Sequence, residues 1–167
     1  WMKTVAQIAP NAVPRIQGVD RSALCFVMDY LPVEQFDNWK SQLLSGDIDS
    51  EFAGLMGDVL GHIHQQTAKN SELAKVFAYD DNFFSLRLDP YLGEISRVHP
   101  KYAGSIQLVL ERTQSTKLAL VHGDTIPKII LRGPYCPVIL DAECVWFGDP
   151  PLDLALCLNQ FLLKIIV

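Results

Sequence analysis

Four carboxylates stand close together late in the chain: Asp124, Asp141, Glu143 and Asp149, in LALVHGDTIPKIILRGPYCPVILDAECVWFGDPPLD, residues 118–153. Ionised carboxylates are hard oxygen ligands, and a group of them attracts a Mg2+-type cation together with the polyphosphate it accompanies. The chain must first bring them together. Three short apolar runs, Leu118–Val121, Ile129–Leu131 and Val138–Leu140, are rich in leucine and β-branched residues. Arg132-Gly133-Pro134-Tyr135-Cys136-Pro137 supplies turn residues between the second and third, which reads as a hairpin. An antiparallel hairpin returns the chain to the end it started from, so the entering loop (Gly123–Lys128) and the leaving loop (Ala142–Gly148) lie side by side. Asp124 and Asp141 then become neighbours. Aspartates that cap loop turns are the other use of these residues, and spacing alone does not choose between the two.

The order His122-Gly123-Asp124, Pro127, hairpin, Leu140-Asp141-Ala142-Glu143, Gly148-Asp149-Pro150 and Asp153-Leu154-Ala155 resembles the aminoglycoside phosphotransferase and choline kinase-like family, a relative of the protein kinases. Several ordered motifs are more specific than one short pattern. The resemblance implies that Asp124 is the base accepting the substrate hydroxyl proton and that Asp141 holds Mg2+. It implies supporting roles for His122, Glu143 and Asp149, and makes Asp153 a brace that hydrogen-bonds the catalytic loop. His122 reads as a structural hydrogen-bonding residue behind the loop rather than a catalyst. One position departs from the pattern. Five residues after Asp124 the family places a metal-binding Asn, and this chain has Ile129, whose side chain has no donor or acceptor.

The elements that position this stretch can be read from the start of the chain. Trp1–Ala9 ends a helix before Pro10-Asn11, and Val13–Val19 and Ala23–Leu31 form two strands around the turn Asp20-Arg21-Ser22. The resemblance makes the second strand the approach to a hinge, with adenine received at Asp29, Tyr30 and Leu31 and Met28 behind it; an ordinary buried strand leaving a sheet at Pro32 accounts for the same residues. Helical spacing covers Val33–Leu44, and a second helix from Ser50 to about Ala68 places Phe52, Leu55, Met56, Val59, Leu60, Ile63 and Thr67 on one face, with Asp47, Asp49 and Ser50 as candidate N-caps. His62 and His64 point in different directions on that helix, which argues against a metal pair and leaves His64 to packing in the core or behind a site residue. Asn70–Asp81 reads as a polar connection, and Pro90 as the start of a helix. Lys101–Thr113 resumes helical spacing through Tyr102, Ile106, Val109 and Leu110. Leu152–Leu163 is apolar nearly all round, the pattern of a buried helix, with Asp153 in its first turn.

The whole chain narrows the function classes. It has 167 residues, is 49% hydrophobic and carries a net charge of −5 with no basic run, which argues against a nucleic acid or an anionic membrane surface as partner. Cys25, Cys136, Cys144 and Cys157 lack metal or redox spacing, and neither a signal peptide nor a spanning helix is visible, so a cytoplasmic protein with reduced thiols is expected. Trp1 before Met2 and the apolar Ile165-Ile166-Val167 end suggest a piece cut at both ends. The phosphate-binding lysine, its glutamate and a glycine-rich loop are not found, and the resemblance places them before Trp1.

The expectation is an α+β, protein-kinase-like fold: residues 1–31 are the end of the N-lobe with the hinge strand, and 32–167 the helical C-lobe with catalytic loop and metal segment. The activity implied is transfer of the γ-phosphoryl group of ATP, with Mg2+, to a hydroxyl of a small molecule, for which the acidic loops suit a cationic acceptor. Two alternatives stay open. Ile129 motivates a catalytically impaired pseudo-kinase or nucleotide-binding scaffold. A metal-dependent hydrolase using Asp124, Asp141 and Asp149 lacks the histidine ligands common in such sites.

Overall fold

The computed structural model describes the backbone of residues 1–166 and the side chains of residues 1–164; Val167 and the side chains of Ile165 and Ile166, the apolar end noted above, lie outside the described residues. Helix α1 (Met2–Ile8) stops before a 3-10 turn that starts at Pro10. Strands β1 (Ile16–Asp20) and β2 (Cys25–Met28) pair antiparallel, Asp20 opposite Cys25. The Asp20 carboxylate accepts from Ser22 N–H (2.9 Å), Ser22 Oγ (2.6 Å) and Ala23 N–H (3.1 Å), which folds the turn as an Asx motif. Both strands are shorter than the sequence suggests. All of β2 is exposed, which corrects the reading of a buried strand.

The helical spacing over Val33–Leu44 holds only for its second half. Val33–Phe36 is a turn over Pro32, with the N–H groups of Gln35 and Phe36 both 3.0 Å from its carbonyl. Asp37 and Asn38 form β3, and α2 spans Trp39–Leu44. The Asn38 side chain decides this boundary, because it caps Ser41 N–H (3.3 Å) and also donates to the Lys128 carbonyl (2.8 Å). Helix α3 (Ser50–Thr67) begins where Asp49 accepts from Glu51 and Phe52 N–H at 2.9 and 3.1 Å. It buries Phe52, Met56, Leu60, Ile63 and Thr67. The four apolar side chains each contribute roughly 1.5–3 kcal/mol of burial. Leu55, expected on that face, is 41% exposed because its position falls at the flank of the stripe.

The polar connection after α3 contains a helix, α4 (Ser71–Val76), capped by the Asn70 carboxamide on Glu72 and Leu73 N–H. A short α5 (Asp80–Phe83) then runs into a π-helical segment, Phe84–Gly93, and Pro90 lies inside it rather than at a start. A proline ring clashes with the carbonyl four residues back in an α-helix, and the wider π turn relieves that clash. Helix α6 (Glu94–Val98) and α7 (Ala103–Ser115) follow. Helix α7 turns Leu110 and Thr113 inward, and Tyr102 and Val109 are exposed.

The remaining strands are β4 (Ala119–Val121), β5 (Ile130–Arg132), β6 (Pro137–Ile139) and β7 (Trp146–Gly148), followed by α8 (Pro151–Ile166). Strands β5 and β6 are the expected hairpin, in the register Ile130–Ile139 and Leu131–Val138, and β3 pairs the free edge of β5. Strand β4 pairs β7 instead, with Val121 opposite Trp146. The main core joins α2, α3 and the hairpin through Trp39, Phe52, Met56, Leu60, Ile129, Ile130 and Ile139, with Cys157 of α8. Helix α8 is not buried all round: Leu154, Leu158 and Leu162 are 47–61% exposed, and only Asp153 and Cys157 among its described side chains are fully buried. Mixed helices and small antiparallel sheets make this an α+β fold.

Candidate active site

The site is built where β4 ends. Thr67, at the end of α3, donates its hydroxyl to the Ile63 carbonyl (2.8 Å) and accepts from Leu120 N–H (3.0 Å), fixing β4 against the helix. The β4–β7 pair then sets the His122–Thr125 loop beside Cys144. Gly123 has φ +79°, and a Cβ there would lie 2.4 Å from the Cys144 carbonyl oxygen, so both backbone sign and space require glycine. The entering and leaving loops do lie side by side, held by β4–β7 as well as by the hairpin.

His122 is buried behind the loop. Its Nε2–H donates to the Leu140 carbonyl (2.9 Å) and its Nδ1 accepts from Asp124 N–H (3.2 Å), a pattern that needs the neutral Nε2–H tautomer. Burial pushes its pKa down, which favours the same form. One imidazole therefore ties the backbone of the loop to the strand end that precedes Asp141.

Asp153, in the first turn of α8, holds the loop from beneath. Its Oδ2 accepts from His122 N–H (3.0 Å) and its Oδ1 from Gly123 N–H (2.9 Å). The Thr125 hydroxyl donates to its carbonyl (2.5 Å), and His64 Nε2 lies 2.9 Å from Oδ2. Asp153 is 0% exposed, so these partners replace all of its water. His64 thus packs against the carboxylate that braces the loop, one of the two uses expected of it.

Asp124 projects from the braced loop, and Arg87 of the π-helical segment meets it. Arg87 Nη2 lies 2.9 Å from Asp124 Oδ2 and 3.9 Å from Glu143 Oε1, while its Nε donates to the Gly123 carbonyl (3.1 Å). Burial pushes the Asp124 carboxyl up, the Arg87 guanidinium pulls it down, and the like charge of Asp141 adds to the rise. Asp141 has φ +57°, in the left-handed region that aspartate tolerates. With Glu143 it lines a cavity of about 610 Å³ under the β1–β2 hairpin, whose other walls include Phe26 and Met28.

Of the remaining residues singled out from the sequence, Asp29 and Leu31 border a separate cavity of about 320 Å³ near Pro134 and Cys136, and Tyr30 is 85% exposed. Met28 is therefore the member of that set that faces Asp141. Asp149 is buried and does not line the larger cavity; burial pushes its carboxyl up, against the pull of Arg112. Ile129 is 7% exposed in the core with Trp39 and Phe52. Among the described residues no three His, Cys, Asp or Glu side chains group closely enough to hold a metal ion by themselves. Mg2+ is ordinarily held by one or two carboxylates together with substrate phosphates and water, and Asp141 on the cavity wall fits that smaller donor set.

Arg87 and Thr125 carry structure at this site and were not singled out from the sequence; Thr67 was placed on the inward face of its helix, without its bond to Leu120. Thr125 leaves no signal. Arg87 does leave one, as a lone cation in the apolar run FFSLRLDPYL.

A search of curated proteins returned no match. A model of the phosphotransferase enzyme family matches residues 1–163, in agreement with the aminoglycoside phosphotransferase and choline kinase-like resemblance of the HGD and LDAE motifs. The chain belongs to the phosphotransferase enzyme family.

Proposed function

We propose that this protein transfers the γ-phosphoryl group of ATP to a hydroxyl of a small molecule. The observation that carries this reading is the loop His122–Thr125, clamped by Asp153 so that Asp124 emerges next to the segment bearing Asp141 and Glu143. Asp124 takes the proton of the acceptor hydroxyl, the acceptor oxygen bonds to the γ-phosphorus, and the bond to the β-phosphate oxygen breaks with its electron pair left on ADP. Mg2+ held through Asp141 would neutralise charge on the phosphates. The cavity against Phe26 and Met28 suits a flat apolar group such as adenine. In this reading residues 1–31 are the end of a small lobe with its hinge, residues 32–167 belong to the large lobe of a protein-kinase-like fold, and the acceptor enters on the Asp124 side.

A second reading, a catalytically impaired nucleotide-binding protein, has its own observation. Ile129 is built into the hydrophobic core, so no oxygen ligand exists where the family places an asparagine. Calorimetric titration of ATP with and without Mg2+ separates the readings. Tight, Mg2+-dependent binding, with ADP formed and the γ-phosphoryl group recovered on an added small-molecule alcohol, supports a working phosphotransferase. Binding without Mg2+ dependence or turnover supports the impaired protein, and no binding at all defeats both.

A further inference from the structure

Arg87 has no assigned part in this reading, yet its contacts are those of a built feature. Its side chain is 15% exposed and that of Asp124 13%, so the pair is largely withdrawn from water. Nε donates to the Gly123 carbonyl and Nη1 to the Leu86 carbonyl (3.0 Å), which fixes the plane of the guanidinium. Nη2 then reaches Asp124 Oδ2 at 2.9 Å. A guanidinium anchored on two backbone carbonyls has little freedom left, and it transfers that rigidity to the carboxylate it pairs with. The segment carrying it is the π-helical turn around Pro90, and π turns within helices displace a side chain from its regular α position.

We infer that Arg87 is a positioning residue for Asp124, holding one carboxylate oxygen so that the other faces the acceptor hydroxyl. This rests on the phosphotransferase reading for its chemistry, although the pairing itself does not. The groups that face Asp124 are Arg87 from the π-helical segment, His122 on its own loop, and Asp141 and Glu143 from the metal segment, with the Cys144 thiol nearby. Arg87 is the permanent cation among them. Glu143 lies at 3.9 Å, too far for a hydrogen bond, and leaves Asp124 as the principal partner.

The test compares Arg87→Gln and Arg87→Lys in the native and the Asp124→Asn backgrounds, with turnover read as phosphate released from Mg·ATP with water as acceptor. A small misplacement of a reacting group can cost about a hundredfold. Arg87→Gln is expected to lower kcat about a hundredfold with KM for Mg·ATP unchanged. Arg87→Lys keeps the charge and loses the fixed fork, and is expected to recover about tenfold of that loss. Neither substitution should lower kcat further once Asp124 is Asn. Unchanged or raised turnover in Arg87→Gln overturns the inference, the second outcome making the pair a lock; so does a loss that persists in the Asp124→Asn background. If the wild-type protein binds no Mg·ATP, the phosphotransferase reading fails, and the positioning inference is then decided by thermal midpoints of the same four variants. Non-additive shifts uphold the Arg87–Asp124 coupling, and additive shifts overturn it.

Discussion

His64 Nε2 lies 2.9 Å from Asp153 Oδ2, joining two helices through residues 89 positions apart. That contact completes a shell in which the carboxylate also receives His122 and Gly123 N–H, so α3 and α8 clamp the His122–Thr125 loop between them.

Asp153→Asn should therefore be costly although it is nearly isosteric. An amide keeps one acceptor oxygen and turns an NH2 toward a backbone N–H, leaving a buried donor unpaired, for about 2–4 kcal/mol. His64→Ala removes one partner of four and should cost about 1–2 kcal/mol. Urea unfolding measures both. Equal effects of the two substitutions would mean that Asp153 does not organise the loop.

Gly123→Ala meets a positive φ and a Cβ 2.4 Å from the Cys144 carbonyl oxygen, with the Phe83 ring at 2.9 Å. Backbone cannot move aside as a flexible side chain can, and about 3 kcal/mol or more of stability should be lost together with nucleotide-dependent turnover. Gly61→Ala is the contrast, since nothing lies within 4 Å of its Cβ in the interior of α3. That change should stabilise by about 0.5–1 kcal/mol. Thermal midpoints moving in opposite directions for the two variants is the expected result.

Patterns with one physical cause were legible in the sequence. The β5–β6 hairpin follows from two apolar runs around turn residues, and α3 from a period that Asp49 caps. Side chains that serve two neighbours at once were not. Val33–Phe36 has helical spacing, but Asn38 both caps α2 and bonds Lys128, which moves the boundary. Helix α8 is mostly apolar, and the residue types of Leu154, Leu158 and Leu162 do not mark their side as the open one. Arg87 reaches a carbonyl 36 residues away, a contact that spacing does not encode.

The pH dependence of stability should be set in part by His122. Its folded pKa lies below the ordinary value of 6.5, so below that pH the unfolded chain binds a proton that the native one does not. Stability then falls as pH is lowered through about 6.5. The raised carboxyls of Asp124 and Asp149 act in the opposite sense. The native state holds their protons more tightly, so they add stability on acidification from their folded pKa values down to the ordinary 3.8. Urea midpoints between pH 7.5 and pH 5, about the range over which histidine titrates, should decline in the wild type and decline less in His122→Gln. An equal slope in the two proteins would assign the decline to other groups.

Ile129→Asn tests the departure from the family pattern. The side chain is packed among Trp39, Phe52 and Met56, so the change removes apolar contacts and places an amide in the core, at about 2–4 kcal/mol. Ile129→Val shortens the same side chain without polarity and should cost about 0.5–1.5 kcal/mol. Against that loss, an amide oxygen able to reach the metal beside Asp141 would make ATP binding depend more strongly on Mg2+. Thermal midpoints with ATP, with and without Mg2+, read both effects in one experiment. The expected result for Asn is a lower midpoint without ligand and a larger rise with Mg·ATP than the wild type shows. A lower midpoint with no larger rise would mean that position 129 points to the core whatever residue it carries, and that any metal is held through Asp141 and the nucleotide phosphates alone.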